Sequence, residues 1–196
     1  MKKTILSLSF FLVFALSYSQ DYSFRFGAKV GFNYSDLYSM KDDTGSKYDF
    51  TAYHGYTWGA FAEMRKESLE NLFLRGGVNF SKRGVGYGNN ETTNQYIEIP
   101  IQLGYKCKVA SFLNAYALAG PSVQFRTYGN GYLKGYSNHD KATQKVIGVG
   151  EANFGLEFFK HIQVEGGYQY GFTPDYKSSG FSAKNSTFRL TFGLAF

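Results

Sequence analysis

The stretch Phe188-Arg-Leu-Thr-Phe-Gly-Leu-Ala-Phe196 decides the fold. Phe188, Leu190, Phe192, Leu194 and Phe196 occupy every second position, with Arg189, Thr191, Gly193 and Ala195 between them. Successive side chains of a strand point to opposite faces, so this segment offers one face to lipid and one to water. The alternation runs to the last residue. We therefore expect no soluble tail after it, and we read it as the closing strand of a transmembrane barrel.

Moving back along the chain, the same period of two recurs in about eight segments. From Phe24 to Tyr34 the apolar face is Phe24, Phe26, Ala28, Val30, Phe32 and Tyr34, opposite Arg25, Gly27, Lys29, Gly31 and Asn33. Near Gly55–Arg65 it is Tyr56, Trp58, Ala60, Ala62 and Met64, with Glu63 opposite; in Leu72–Ser81 it is Leu72, Leu74, Val78 and Phe80, with Arg75 and Asn79 opposite. Ile97, Ile99, Ile101, Leu103 and Tyr105 alternate with Glu98, Pro100, Gln102, Gly104 and Lys106. Pro100 lacks an amide donor and is expected to mark a bulge. In Leu113–Phe125 the expected inward set is Ser122 and Gln124, continued by Arg126. Glu151, Asn153 and Glu157 face inward in Gly148–Phe158, and Gln163, Glu165 and Gln169 in Ile162–Phe172.

Connections between these segments alternate in length. Ser35–His54, Lys82–Asn94, Thr127–Lys145 and Thr173–Ala183 are long and polar, whereas Lys66–Asn71, Lys108–Phe112 and Lys160–His161 are short. Outer-membrane barrels join strands by tight periplasmic turns and longer external loops. The expected fold is therefore all-β: an antiparallel transmembrane β-barrel of about eight strands, an up-and-down meander with both ends in the periplasm.

Composition agrees. With 23 glycines, three prolines and 19% aromatics, the chain has the makings of strands and turns. Beyond residue 19 no apolar run is long enough to span a bilayer as a helix, and the mean hydropathy is slightly polar. Lys2 and Lys3 precede the apolar run Ile5–Leu16, and small residues stand at Ser17 and Ser19. We read residues 1–19 as a signal peptide cleaved before Gln20, and residues 20–196 as one barrel domain. Without Lys2 and Lys3 the count is 19 basic residues against 15 acidic, too dispersed to indicate nucleic acid. Cys107 is the single cysteine, which excludes an internal disulfide.

In a barrel of about eight strands the lumen is just wide enough for side chains to fill. Its expected charges are Arg25, Lys29, Arg75, Lys106, Arg126 and Arg189 against Glu63, Glu98, Glu151, Glu157 and Glu165. Buried ions need partners, so these form a lumenal salt-bridge network that plugs the barrel; a proton or ion path is the alternative. Tyr34, Tyr56, Trp58, Tyr96, Tyr105, Tyr168 and Tyr170 suit interfacial girdles, Tyr96 having the second possibility of filling the lumen.

Catalytic signals are poor. His161 falls in a short turn, while His54 and His139 lie in long loops beside Asp49 and Asp140. Gly84-Val-Gly-Tyr-Gly88 reads as a loop, since the lysine and helix of a phosphate cradle are missing. Asp42-Asp43 lacks the spacing of a calcium loop. Lys134, Lys141 and Lys145, with Tyr128, Tyr132 and Tyr136, suit contact with lipopolysaccharide phosphates or a protein partner. No catalytic residue, cofactor or metal is expected.

Tyr96-Ile-Glu-Ile-Pro-Ile-Gln-Leu-Gly-Tyr105 resembles the Y-x-E-I-P-x-x-x-x-Y strand of the PorT-like outer-membrane β-barrel family of the Bacteroidota. Phe26-Gly-Ala-Lys-Val-Gly-Phe-Asn33, Tyr116-Ala-Leu-Ala-Gly-Pro-Ser122 and the terminal aromatic extend the likeness across the chain. The resemblance implies an outer-membrane location and, for some members, a part in protein secretion. Phe196 resembles the terminal aromatic read by barrel-insertion machinery. The expected protein is a structural or interaction barrel in contact with outer-membrane lipid and lipopolysaccharide. An accessory subunit of an envelope machine for secretion or barrel assembly is the second reading, and a lipid-modifying enzyme the third. Parity alone leaves one rival fold, a soluble periplasmic barrel of the lipocalin type with its faces exchanged.

Overall fold

The structure is a computed structural model that describes residues 21–42, 50–87, 90–130, 144–178 and 181–196. Among the described residues nine strands follow in order: β1 (Tyr22–Asp42), β2 (Phe50–Lys66), β3 (Leu72–Tyr87), β4 (Asn90–Ala110), β5 (Leu113–Asn130), β6 (Val146–Phe158), β7 (Ile162–Gly171), β8 (Tyr176–Ser178) and β9 (Phe181–Ala195). Each long strand pairs antiparallel with the next, β7 pairs with β9, and β9 returns to β1. The result is a closed eight-stranded antiparallel barrel in which the three-residue β8 is a short flap on β9. Closure removes the sheet edges that hydrocarbon cannot satisfy.

The outer wall is apolar. Phe26 is 63% exposed and Phe32 70%, and with Ile101, Leu103, Phe154 and Phe192 they belong to a continuous outward band. Glu98, Gln102, Gln124, Gln169 and Arg189 are buried inside. A lipocalin-type barrel requires the reverse, so that alternative is overturned. The band ends upward at Tyr34, Tyr56, Phe80 and Phe125, above which Asp36, Lys82, Gln95 and Thr127 follow.

The strands run past that band. β1 and β4 have 21 residues each, whereas a tilted strand crosses the hydrocarbon with about 9–11. Much of what reads as long loop is therefore ladder: Lys82–Tyr87 pairs with Asn90–Gln95, and Asp36–Asp42 with Phe181–Ser186. Gly84–Tyr87, expected in a loop, belongs to β3. Backbone hydrogen bonds continue the ladder where both faces turn polar, and alternation, the sequence signal, fades there.

Two further expectations are corrected. Pro100 marks no bulge: β4 keeps one register against β3 from Gly76↔Ile101 to Asn79↔Glu98, and Pro100 pairs with Ser122 on β5. A missing amide costs a single ladder bond without inserting a residue. The shifts of β4 against β5 lie at Gln95/Tyr96 and Lys108/Ala110. Tyr96 leaves the girdle set, since it points inward at 1% exposure, while Tyr34, Tyr56, Trp58, Tyr105, Tyr168 and Tyr170 face outward.

The short turns gather at one end, the periplasmic end in barrels of this kind. The β6–β7 turn is closed by the His161 amide on the Phe158 carbonyl at 3.0 Å, with positive φ at Phe159 (52°) and Lys160 (66°). That sign pattern belongs to a type I′ turn, whose twist matches a hairpin. The last strand is fastened at this end, where the Phe26 and Phe196 amides and carbonyls bond reciprocally at 2.9 and 2.8 Å.

Candidate functional site

Inward parity from eight strands converges on the lumen. Nearest the periplasmic end, Lys106 and Arg25 reach one oxygen of Glu157, Oε2, at 2.7 and 2.8 Å, and Oε2 of Glu63 at 3.5 and 3.4 Å. Arg25 also donates to the Lys160 carbonyl, and Asn114 Nδ2 donates to Glu157 Oε1 at 3.0 Å.

One layer deeper, Arg75 grips Glu63 Oε1 at 2.5 Å, Glu165 Oε2 at 2.6 Å and Gln163 Oε1 at 3.0 Å. Its guanidinium lies 4.6 Å from the Phe61 ring centre and 5.1 Å from that of Tyr116. Lys29 reaches Glu165 Oε1 at 3.3 Å. Inward glycines make room for the rings in this layer: a Cβ on Gly104 would meet Phe73 at 2.4 Å, and one on Gly155 would meet Tyr116 at 2.3 Å.

Above them Arg189 bridges Glu98 at 2.7 Å and Glu151 at 2.9 Å. Gln169 donates to both acids at 3.2 and 2.6 Å, and Gln102 donates to Glu151 at 3.0 Å. Arg83 lies higher, 3.4 Å from Glu98, donating to Gln169 and Gln124. At the external end, Tyr96 donates to Asp175 at 2.6 Å and Asn94 donates to the Tyr176 hydroxyl at 2.9 Å. Asp175 lies outside the spanning strands, and burial pushes its carboxyl above the ordinary aspartate range.

Two of these bridges cross the full width of the barrel. Arg75 on β3 meets Glu165 on β7, and Arg189 on β9 meets Glu98 on β4, strands on opposite sides of the ring. Eight strands give a lumen narrow enough for this.

Of the charges expected in the lumen, Arg25, Lys29, Glu63, Arg75, Glu98, Lys106, Glu151, Glu157, Glu165 and Arg189 are thus joined by ion pairs. Arg126 is half-buried near the external end, in electrostatic contact with Asp175 and Tyr176. Sequence reasoning missed Arg83, Asp175 and Tyr176. Arg83 was recoverable, because it continues the inward parity of Asn79 and Ser81 by one step.

His54 is exposed and stacks edge-on with Tyr34 at 5.2 Å, while His161 Nδ1 lies 2.8 Å from the Ala195 carbonyl and beside the Phe196 ring. His161 thus fastens the last strand. Among the described residues no group of three or more His, Cys, Asp or Glu side chains is placed to hold a metal. Residues 1–19, Asp43, Asp49, Tyr132, Lys134, Tyr136, His139, Asp140 and Lys141 lie outside the described residues.

An apolar outer wall, a closed ladder and a polar packed interior define a transmembrane barrel of the outer membrane. The chain belongs to the outer membrane protein beta-barrel domain family, whose pattern matches residues 18–176. Among solved structures it is similar to Neisserial surface protein A, with 14% identity and a TM-score of 0.56 over 90% of this chain and 98% of that one. It is also similar to OprG from Pseudomonas aeruginosa, with 10% identity and a TM-score of 0.46 over 90% and 97%. A third is Ail, the attachment invasion locus protein of Yersinia pestis, in complex with the heparin analogue sucrose octasulfate, with 15% identity and a TM-score of 0.45 over 89% and 99%. At these identities the likeness is one of fold. No curated protein matches the chain.

Proposed function

We propose that this outer-membrane protein is a monomeric barrel with a structural or interaction role, its lumen plugged by its own side chains and its external loops presented outside the cell. The observation that carries the reading is the pair of cross-lumen bridges, Arg75–Glu165 and Arg189–Glu98, with Gln163 and Gln169 tied between them and their neighbours. A conducting file of water needs a continuous gap where these side chains meet. Pure protein in planar bilayers is expected to give no steady single-channel steps; large, steady steps would sink the plugged-barrel reading.

A second reading is favoured by the ladders that continue beyond the lipid band and by the PorT-like strand Tyr96–Tyr105. Strand-stiffened projections are preorganised for contact, which lowers the entropy lost on binding. The barrel is then an accessory subunit of an envelope machine for secretion or barrel assembly, Phe196 being the residue read at insertion. Mild-detergent pull-down tests it: a stoichiometric envelope partner is the expected result, and recovery of the barrel alone with its lipid or lipopolysaccharide sets it aside.

A further inference from the structure

Beyond its last ion-paired layer the lumen opens into a vestibule of about 720 Å³ at the periplasmic end. It is built by continuing inward parity one step further. Arg65 follows Glu63 on β2, Lys108 follows Lys106 on β4, and Asn114 precedes Tyr116 on β5. Its floor is Arg25, Lys106 and Glu157, with Arg25 one-quarter exposed toward the opening.

The charge there does not balance. Arg25 and Lys106 share Glu157 and Glu63, Arg75 takes the other oxygen of Glu63 and one of Glu165, and Lys29 takes the second oxygen of Glu165, so four cations draw on three carboxylates. The walls add Arg65, Lys108 and Lys160, whose side chains make no ion pair with another described residue. Glu67 and Glu70, both on the β2–β3 turn, are the acids of the rim. Five cations therefore line the space against three carboxylates. Low-dielectric walls focus such a field along the opening instead of letting it spread.

We infer that this vestibule is an anion site that takes a phosphate group presented from the periplasmic side. The donor set decides for phosphate over carboxylate. Arg25 and Lys106 are engaged by Glu157 and Glu63, but the guanidinium fork of Arg65, the ammonium groups of Lys108 and Lys160 and neutral donors such as Asn71 still exceed what two carboxylate oxygens accept. A phosphate offers more acceptors and a second charge. Both a free phosphate ester and the headgroup of an inner-leaflet phospholipid bent over the rim carry that chemistry. Access from the periplasm alone rests on the plugged lumen proposed above.

The full mature barrel, folded in uncharged detergent micelles, is titrated calorimetrically with inorganic pyrophosphate at low ionic strength. One-to-one binding is expected, weakened about tenfold or more in the Arg65→Gln/Lys108→Gln protein and by added salt. The Glu67→Gln/Glu70→Gln protein is expected to bind several-fold more tightly, a gain that a misfolded variant does not produce. Heat-modifiable gel migration checks that each variant is folded. No binding by the wild type, or affinity indifferent to both pairs of substitutions, overturns the site. Phosphatidylglycerol doped into the micelles that displaces pyrophosphate supports the site and assigns it to a headgroup; pyrophosphate that stays bound supports it and assigns it to a free phosphate. Conductance of the same preparation separates the two readings: an open pore with pyrophosphate still bound removes the direction of access and leaves the site.

Discussion

Arg189→Met is the sharpest perturbation of the interior. It keeps a side chain of similar length and removes the charge that joins Glu98 and Glu151. The two acids are left in different positions. Glu98 retains Arg83 at 3.4 Å and the Ser81 hydroxyl at 2.6 Å. Glu151 retains the amides of Gln102 and Gln169, and Arg189 is the cation with which it forms an ion pair among the described residues. A buried charge stripped of its partner costs about 3–5 kcal/mol, so the single variant is expected to lose that much stability. Glu151→Gln removes the stranded charge while keeping a group that Gln102 and Gln169 can bond. Alone it is expected to cost about 1–3 kcal/mol. Added to Arg189→Met it is expected to restore part of the loss, giving non-additivity of about 2 kcal/mol. Urea unfolding in micelles, followed by fluorescence of the single tryptophan, Trp58, measures all three variants. Arg189→Met within about 0.5 kcal/mol of wild type, or strictly additive losses in the double variant, would refute the coupled lumenal network.

Gly155→Ala is expected to cost about 1–3 kcal/mol by the same assay, because the new methyl group meets the Tyr116 ring at 2.3 Å. Retreat of that ring would break its hydroxyl contacts to Glu165 at 3.2 Å and Gln163 at 3.4 Å. Lys160→Gly relieves a left-handed residue at φ 66° and is expected to hold or raise stability by up to about 1 kcal/mol, whereas Lys160→Val lowers it; equal midpoints for the two would contradict the turn geometry. Asp175 gives a pH dependence. Its folded-state pKa lies above the unfolded one, so its contribution is full below the ordinary aspartate value and is lost as pH rises through the raised one. Asp175→Asn is expected to match wild type near about pH 4 and exceed it near about pH 7, and a constant difference across that range would count against the buried acid.

The transverse structure of this barrel was legible because parity is a binary signal. Phe24, Phe26 and Val30 outward with Arg25 and Lys29 inward follow from a pleat that cannot be rotated without exchanging both sets. The longitudinal structure was less so. Apolar alternation reports the hydrocarbon and stops where the hydrocarbon stops, so Lys82–Tyr87 and Asn90–Asn94 read as a loop although the ladder continues through both. Arg83 was lost with that loop. Tyr96 was ambiguous for a related reason: an aromatic at a strand end suits either an interface or a lumen, and its neighbour across the lumen, Asp175, comes from a segment that carries no alternation.

Contacts across the lumen lie deeper still. Glu63 and Arg75 are register partners on adjacent strands, so their pairing follows from the β2–β3 turn alone. Arg75 and Glu165 are 90 residues apart and meet only because β3 and β7 stand on opposite sides of an eight-membered ring. Strand number and stagger fix that distance; a wider barrel built from strands of the same alternation would leave both residues in water. Charge balance in the inward set is therefore necessary for a plug and insufficient to show one. The proposed plug rests on Arg75 and Arg189 each holding acids from more than one strand, so that β2 and β7 cannot move away from β3, nor β4 and β6 from β9, without breaking ion pairs. The vestibule lies where this cross-linking ends: the last parity position, Arg65 and Lys108, adds cations that form no ion pair with another described residue, and the interior changes there from a network of ion pairs into a surface with an excess of positive charge.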